Sequence, residues 1–442
     1  MYRQVKVANE DQQYQRILWR FLPKQPIQEY NLTTVTYGLG PASYLAVKTL
    51  QQIAIEGKQE YSDALKIIQN DFYVDDLLSG ASNTNEASRL QTALIALLKT
   101  GGCNLRKLSS NCPVLIEGLP QEIVDQTAYE FTTEMPKKSL GILWDPTTDT
   151  FSFKVQRCDS KFTTKRTILS EVSKLYDPIS WLAPIITKAK SIIQKLWING
   201  TDWDTPVDNG TQREWDSLCN NLHTIHQLKI DRWLQCNEDI ELHGFSDASE
   251  AAYGAVIYGK TTRNGKVSIT LLHAKSKVAP VKCKATLPKL ELCAAELLAK
   301  LLTKTKGAMQ MNITATYAWT DSMITLAWIK SDANRWRTFT ANRVSNIQRH
   351  SHAVNWRYIP TKENPADIIS RGMHASELVK NTLWWKGPTA IQKDEIYWPG
   401  QPKIDQTEEE IKRVHTITLK ENVTLSRFST LQRMVRILPY CR

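Results

Sequence analysis

Between residues 240 and 370, strand-like and helix-like stretches follow one another in an order that few architectures accept. ELHGFSDAS reads as a strand ending in an acid, AAYGAVIYG as a second strand and KVSITLLHAKS as a third. Thr286 can then cap a helix on which Leu290, Ala294, Leu297 and Leu301 line one face. TATYAWTDS forms a fourth strand and runs straight into a helix over Ser322–Lys330. Phe339–Ile347 is another helix, NWRYIP the last strand, and a final helix opens at Asn364-Pro365. Three strands, helix, strand, helices, strand and helix describe a compact α/β domain over 236–372.

The rest of the chain is less regular. NLTTVTYGLGPASYLA (31–46) leads through a Gly-rich turn to a helix starting near Pro41, and 59–70 is helical. DFYVDDLLSGAS reads as a β-hairpin with its acids at the turn. Glu86–Thr100 is an amphipathic helix ended by Gly101 and Gly102. Short strands follow around Ser139–Trp144 and Thr150–Val155, split by Asp145-Pro146. Over 161–200, Ile168, Val172 and Leu175 have helical spacing, Asp177-Pro178 breaks it, and Pro184–Trp197 resumes it. A polar linker is expected at 200–212. Beyond 373 the chain reads as linker and tail, with Trp384-Trp385 as docking patch or core and an acidic run near Glu408–Glu410. The divisions expected are 1–158, 159–235, 236–372 and 373–442, in a multidomain α/β and α+β chain.

Charge points the same way without deciding the matter. The formal net charge is +11 over 442 residues, which suits a polyanionic partner. The excess is local: eleven Lys and Arg against two Glu between Lys260 and Gly307, and seven against two from Lys161 to Gly200. Phosphate contacts explain such bias, and so does a solvated lysine-rich face. The eight Cys are scattered with no CxxC pair, which excludes a zinc knuckle or redox loop and favours a reduced, cytoplasmic setting. No run of 18 apolar residues exists, so no membrane span is expected. MYRQVKVANED has no signal-peptide core, and both ends read as the interior of something longer.

Four acids fall where a two-cation nuclease would need them. Asp247 ends the first strand, Glu291 lies in the first long helix, Asp321 ends the fourth strand and Asp367 opens the last helix. Ends of neighbouring strands and a covering helix can converge, and crowded carboxylates repel unless a cation neutralises them. Mg²⁺ takes such hard oxygens, and two ions roughly 4 Å apart can clamp attacking and leaving oxygens. Each acid also has a plainer role. Asp321 could cap the following helix, Asp367 could sit at a helix N-terminus, Asp247 could serve a turn beside Ser246 and Ser249, and Glu291 could be a solvated helix acid. The case rests on the set.

SDASEAAYGAVIY, LPKLELCAAELL, AWTDSMITLAWI and KENPADIISRG, in that order, resemble the RNase H domains of Bel/Pao long-terminal-repeat retrotransposons. The resemblance implies that Asp247, Glu291, Asp321 and Asp367 bind two Mg²⁺ or Mn²⁺ ions and cleave the RNA strand of an RNA–DNA hybrid. Many RNase H enzymes have a His in the loop before the last acid. Here that loop is Thr361-Lys362-Glu363, and His350 or His352 could serve only if the chain folds back. Lys275, Lys277, Lys282, Lys284 and Lys289 are the candidates for gripping the hybrid backbone.

FYVDDLL supplies Asp75 and Asp76, which as an isolated pair could be a solvated acidic turn. With QRILWRF, YGLGPASYLA, GCNLRKLSSN and SLGILWDP it resembles the reverse transcriptase palm of the same family. LYDPISWLAPIITKAKSIIQKLW resembles its thumb or connection region. The resemblance implies a metal role for Asp75 and Asp76 and makes Asp75 the principal ligand. It places Tyr2 where the sugar is checked, and Tyr37, Gly38 and Pro41 at the nucleotide and template pocket. It implies that the fingers and a further palm Asp precede the motif beginning at Met1. The polymerase site is therefore expected to be incomplete, with template-primer and dNTP bound productively only when that portion is supplied. Other expected partners are the protease and integrase of the same polyprotein, inside a cytoplasmic virus-like particle or in the nucleus. No peptidase triplet is found, since Ser246-Asp247-Ala248 has the wrong order. The competing reading is a decayed or domesticated retroelement protein that binds nucleic acid without cutting it.

Overall fold

The computed structural model describes residues 1–124, 137–139, 142–155, 163–234, 239–281, 285–309, 311–352, 354–403 and 410–412. The chain divides into two units: Met1–Asn237 with Met373–Asn381, and Glu238–Gly372 with Thr382–Arg442.

The first unit begins with an antiparallel pair, β1 (Arg16–Trp19) and β2 (Gln28–Asn31). Helices α1 (Ala42–Glu56) and α2 (Ser62–Asn70) follow, then a tight hairpin of β3 (Phe72–Tyr73) and β4 (Asp76–Leu77), then α3 (Thr84–Thr100). The three helices close on Leu50, Ile53, Ile67, Ile68, Leu94, Leu97 and Leu98. Asn83 starts α3, its side chain accepting the Glu86 N–H at 2.9 Å. Gly102, at φ +72°, turns the chain after it. Strands β3 and β4 pair only with each other among the described residues, as do β1 and β2.

Strands β5 (Lys137–Ser139), β6 (Ile142–Asp145) and β7 (Thr150–Ser152) lead to helices α4 (Lys165–Lys174), α5 (Ala183–Ile198) and α6 (Asn209–Leu222), then β8 (Ile230–Asp231). The four strands form an antiparallel sheet in the order β5-β6-β7-β8. The break at Asp177-Pro178 is functional in folding terms. The Asp177 carboxylate accepts the N–H groups of Trp181 at 2.9 Å and Leu182 at 2.6 Å, which sets up the turn into α5. Burial pushes this carboxyl up to about 6, against those bonds. The linker expected at 200–212 is shorter than that. Asp208 caps α6, accepting from Gly210 and Thr211, so helix begins at Asn209.

In the second unit β9 (Asp239–Ala248), β10 (Ala252–Arg263) and β11 (Lys266–Val278) form an antiparallel meander. Helix α7 (Leu287–Ala308) leads to β12 (Asn312–Thr320), which lies parallel to β9. Helices α8 (Met323–Lys330) and α9 (Thr338–His350) precede β13 (Asn355–Tyr358), parallel to β12. Then come α10 (Ala366–Arg371), α11 (Ala375–Leu378, part of the first unit) and α12 (Thr382–Lys386). The sheet order is β11-β10-β9-β12-β13. Thr286 holds the N-cap position of α7, but its side chain makes no capping bond, and Pro288 in the first turn removes one orphan donor instead.

Strand alternation sends successive side chains to opposite faces of the sheet. Ile240, Leu242, Ala255, Ile257 and Ala318 face Leu298, Leu301 and Leu302 of α7. Gly244 lets that helix approach, since a Cβ there would lie 2.5 Å from Leu298 Cδ1. The opposite face carries His243, Phe245, Tyr258, Tyr317 and Trp319 in an aromatic layer. Its cover comes from beyond residue 381, where the sequence reading has a linker. Trp398 packs edge-on against Tyr317 with ring centroids 4.7 Å apart. Tyr258 donates its hydroxyl to Trp384 O at 2.6 Å, and Trp384 and Ile391 are fully buried. Of the two roles open for Trp384, the structure shows core.

Candidate active site of the second unit

Asp247 is the ninth of ten residues in β9 and is buried on the aromatic face, opposite Gly254 of β10. That glycine matters. A Cβ on Gly254 would lie 2.3 Å from Ile369 Cγ2 and 2.9 Å from Ile369 Cβ, so only its absence lets α10 lie across the end of the sheet. The approach delivers the Ser370 hydroxyl, which donates to Asp247 Oδ2 at 2.5 Å.

Asp321 follows the last residue of β12. Asn364, wholly buried, donates from Nδ2 to Asp321 Oδ1 at 3.3 Å and to Ser246 O at 3.1 Å, tying the ends of β12 and β9 together. The capping role open to Asp321 belongs to its neighbour: Ser322 accepts the Thr325 N–H at 3.2 Å. The Ser322 hydroxyl also hydrogen-bonds Glu291 on α7. Asp367 is the second residue of α10, where a helix N-terminus favours an acid. It accepts from Arg371 Nε at 2.6 Å.

These four carboxyls share one electrostatic neighbourhood. Burial pushes Asp247 up to about 7; the Ser370 bond opposes this, and the charges of Asp321, Asp367 and Glu291 add to it. Glu291 also rises to about 7, through burial and the Asp321 charge, against its bond from Ser322. Hard carboxylate oxygens short of positive charge are the donor chemistry a divalent ion requires. Among the described residues, though, no three His, Cys, Asp or Glu side chains are gathered into a ready-made metal cage. The acids stand in electrostatic reach, held by Ser370, Asn364, Ser322 and Arg371. None of those four was singled out as a site residue from the sequence. The helical spacing of Ser370 and Arg371 from Asp367, at three and four positions, was the signal available.

The basic candidates separate. Lys275 and Lys277 are exposed on the outermost strand, alternating with buried Ala274 and Ser276. Lys289 is half-buried and already engaged, paired with Glu410 at 3.0 Å and 5.6 Å from the Phe339 ring centroid. Lys282 and Lys284 lie outside the described residues. His350 approaches Thr303 Oγ1 at 3.3 Å, and His352 lines an open cleft of about 900 Å³ whose walls include none of the four acids.

In the first unit Asp75 sits at the β3–β4 turn and Asp76 begins β4, both exposed. Val74 before them has φ +58°, a strained setting for a β-branched residue. The Tyr2 hydroxyl is 3.0 Å from Ser43 Oγ, and Arg3 donates to the Tyr37 hydroxyl at 3.3 Å. Pro41 occupies the N-cap position of α1. Gly38, at φ +93° with open space where a Cβ would be, serves the turn. Met1 and the hairpin residues Phe72 and Leu77 pack on the same helical core. Among the described residues, no hydrogen bond or ion pair joins Tyr2 or Tyr37 to Asp75 or Asp76.

Residues 164–322 match the family described as Pao retrotransposon-like RNaseH-like domain. The N-terminal RNase H domain of a Mycobacterium tuberculosis protein, solved as a fusion with maltose binding protein, aligns at 16% identity over 33% of this chain and 97% of that one, with a TM-score of 0.22. RNase H1 from the halophilic archaeon Halobacterium salinarum NRC-1 aligns at 9% identity over 29% and 90%, with a TM-score of 0.21. No curated protein matches. No described helix is long and apolar enough to cross a membrane.

Proposed function

We propose, for a chain whose residues 164–322 carry a Pao retrotransposon-like RNaseH-like domain, that the second unit hydrolyses the RNA strand of an RNA–DNA hybrid. Asp247, Glu291, Asp321 and Asp367 are the residues that would hold two Mg²⁺ or Mn²⁺ ions. Bound there, such ions supply polarisation of the scissile phosphate and an activated water. The chain's own part is placement. Asn364 ties the two strand ends that present Asp321 and Asp247, Ser370 orients Asp247 and Ser322 orients Glu291. Lys275 and Lys277 are left to meet backbone phosphates.

The observation that carries this reading is the convergence of the elements that bear the acids: buried Asn364 bonds both Asp321 Oδ1 and Ser246 O, and Ser370 of α10 bonds Asp247 Oδ2, so that burial and mutual charge raise Asp247 and Glu291. A folded chain keeps such crowding at a loss in stability unless a cation relieves it. The test uses the whole chain, a labelled hybrid, Mg²⁺ or Mn²⁺, and EDTA as control. Asp321→Asn should lower cleavage by at least about a hundredfold while hybrid binding persists in Ca²⁺. Cleavage at an unchanged rate by that variant would remove the assignment.

The pairing of Arg371 with Asp367 at 2.6 Å, which neutralises one of the four acids without an ion, favours a second reading, binding without cleavage. It predicts that the folded chain retains hybrid yet leaves it intact with either metal. For the first unit, the strained Val74 ahead of Asp75 and Asp76 supports a polymerase-type metal hairpin. Template-primer and dNTP would be used there only with the rest of a palm supplied.

A further inference from the structure

The acid cluster contains a cation of its own. Arg371 is the last residue of α10, and its Nε donates to Asp367 Oδ1 at 2.6 Å. The charges of Asp247 and Asp321 also act on its guanidinium. Among the described residues it is the one basic side chain ion-paired with any of the four acids. The bond uses Nε alone. Its two outer amino groups have no partner among the described residues, and the side chain is 68% exposed against 27% for Asp367. Gly372, at φ +73°, ends the helix directly after it. The arginine therefore stands at the edge of the cluster with one side of its fork on a carboxylate and the other open to solvent.

We infer that Arg371 is an exchangeable counter-ion, which neutralises Asp367 when the cluster lacks a divalent ion and moves onto a nucleic-acid phosphate when an ion takes that carboxylate. Guanidinium suits both partners. It presents a planar fork that matches carboxylate and phosphate alike, and it is always charged. Its exposure makes the exchange cheap, since an exposed ion pair holds its partners weakly. The side chain would thus couple the two loading events. An arriving ion frees the arginine, and an arriving phosphate draws it away from the carboxylate the ion needs. Arg371 is a positioning residue toward the ion and a direct contact toward the strand.

This inference rests on the cation reading proposed above, so the experiment separates the two. Whole-chain wild type, Arg371→Gln and Arg371→Lys are titrated with Mn²⁺ by calorimetry without nucleic acid. The same proteins are titrated with RNA–DNA hybrid in Ca²⁺ over a range of salt. Arg371→Gln should bind Mn²⁺ about twofold to fivefold more tightly than wild type, the range an exposed ion pair carries. It should bind hybrid more weakly, with the slope of log K against log salt reduced by about 1. Arg371→Lys, which keeps the charge, should keep the wild-type salt slope. A wild type that takes up no Mn²⁺ overturns the cation reading itself. A wild type that binds Mn²⁺ no more weakly than Arg371→Gln, or that shares its salt slope, overturns the exchange alone and leaves an ordinary surface pair within α10.

Discussion

Replacing Asp247 by asparagine isolates the energetic consequence of crowding the four carboxyls. Unfolded, this side chain ionises near its ordinary 3.8; folded, it does so at about 7. Between those values the folded protein keeps a proton that the unfolded chain has lost, so stability falls as pH rises through the interval. Below about pH 4 the penalty is absent, and above about 7 it is complete. A difference of about 3 in pKa at roughly 1.4 kcal/mol each makes the full penalty about 4 kcal/mol. Asparagine escapes it but leaves a buried amide with imperfect partners, which costs about 1–3 kcal/mol. Without divalent ions, Asp247→Asn should therefore be about 1–3 kcal/mol more stable than wild type at pH 8, and no more stable at pH 4. Urea unfolding in EDTA at the two pH values measures this. A variant less stable than wild type at pH 8, or a difference that ignores pH, would refute the reasoning. Mn²⁺ at about a thousand times its Kd should reverse the order, because it adds about 4.1 kcal/mol to whichever protein binds it.

Other perturbations probe the supports of the site. Gly254→Ala forces α10 off the sheet end, because its Cβ meets Ile369 at 2.3 Å. We expect a loss of about 1–3 kcal/mol by denaturant unfolding, with weaker Mn²⁺ uptake. Val74→Gly relieves a left-handed valine and should leave stability level or raise it by up to about 1 kcal/mol in the same assay; a clear loss would mean that the side chain packs there. A fragment ending at Gly372 strips the cover from the aromatic face. Each buried Trp of about 200 Å² contributes roughly 5 kcal/mol before entropy. That fragment should bind hydrophobic dye and aggregate, whereas one ending at residue 403 should melt cooperatively.

Local chemistry made most elements of the second unit readable. Strand alternation fixed β9, β10 and β11, and helical spacing fixed α7, because each depends on neighbours in sequence. Which acids would stand near one another was also open to inference, from their places at strand ends and helix starts. The supports were not, because they depend on distant partners. Nothing near Gly254 announces that Ile369 needs its space, and nothing near Lys289 announces Glu410. Asp321 and Ser322 are equally good caps on paper, and only the fold gives that task to the serine. The stretch from Thr382 to Gly400 hid for a different reason. Its Trp and Ile residues sit on single turns and extended chain, so they show neither period, and their match to the sheet is one of shape.

That cover has a consequence in time. A chain emerging from the ribosome completes the last strand of the sheet at Tyr358, yet Trp398 comes forty residues later. At about 5–20 residues per second, this leaves the aromatic face bare for roughly 2–8 s in every round of synthesis. During that delay a second nascent chain, or a chaperone, competes for the surface that Trp384, Ile391 and Trp398 will later close. The yield of folded protein should therefore depend on how fast that last stretch is translated as well as on what it encodes.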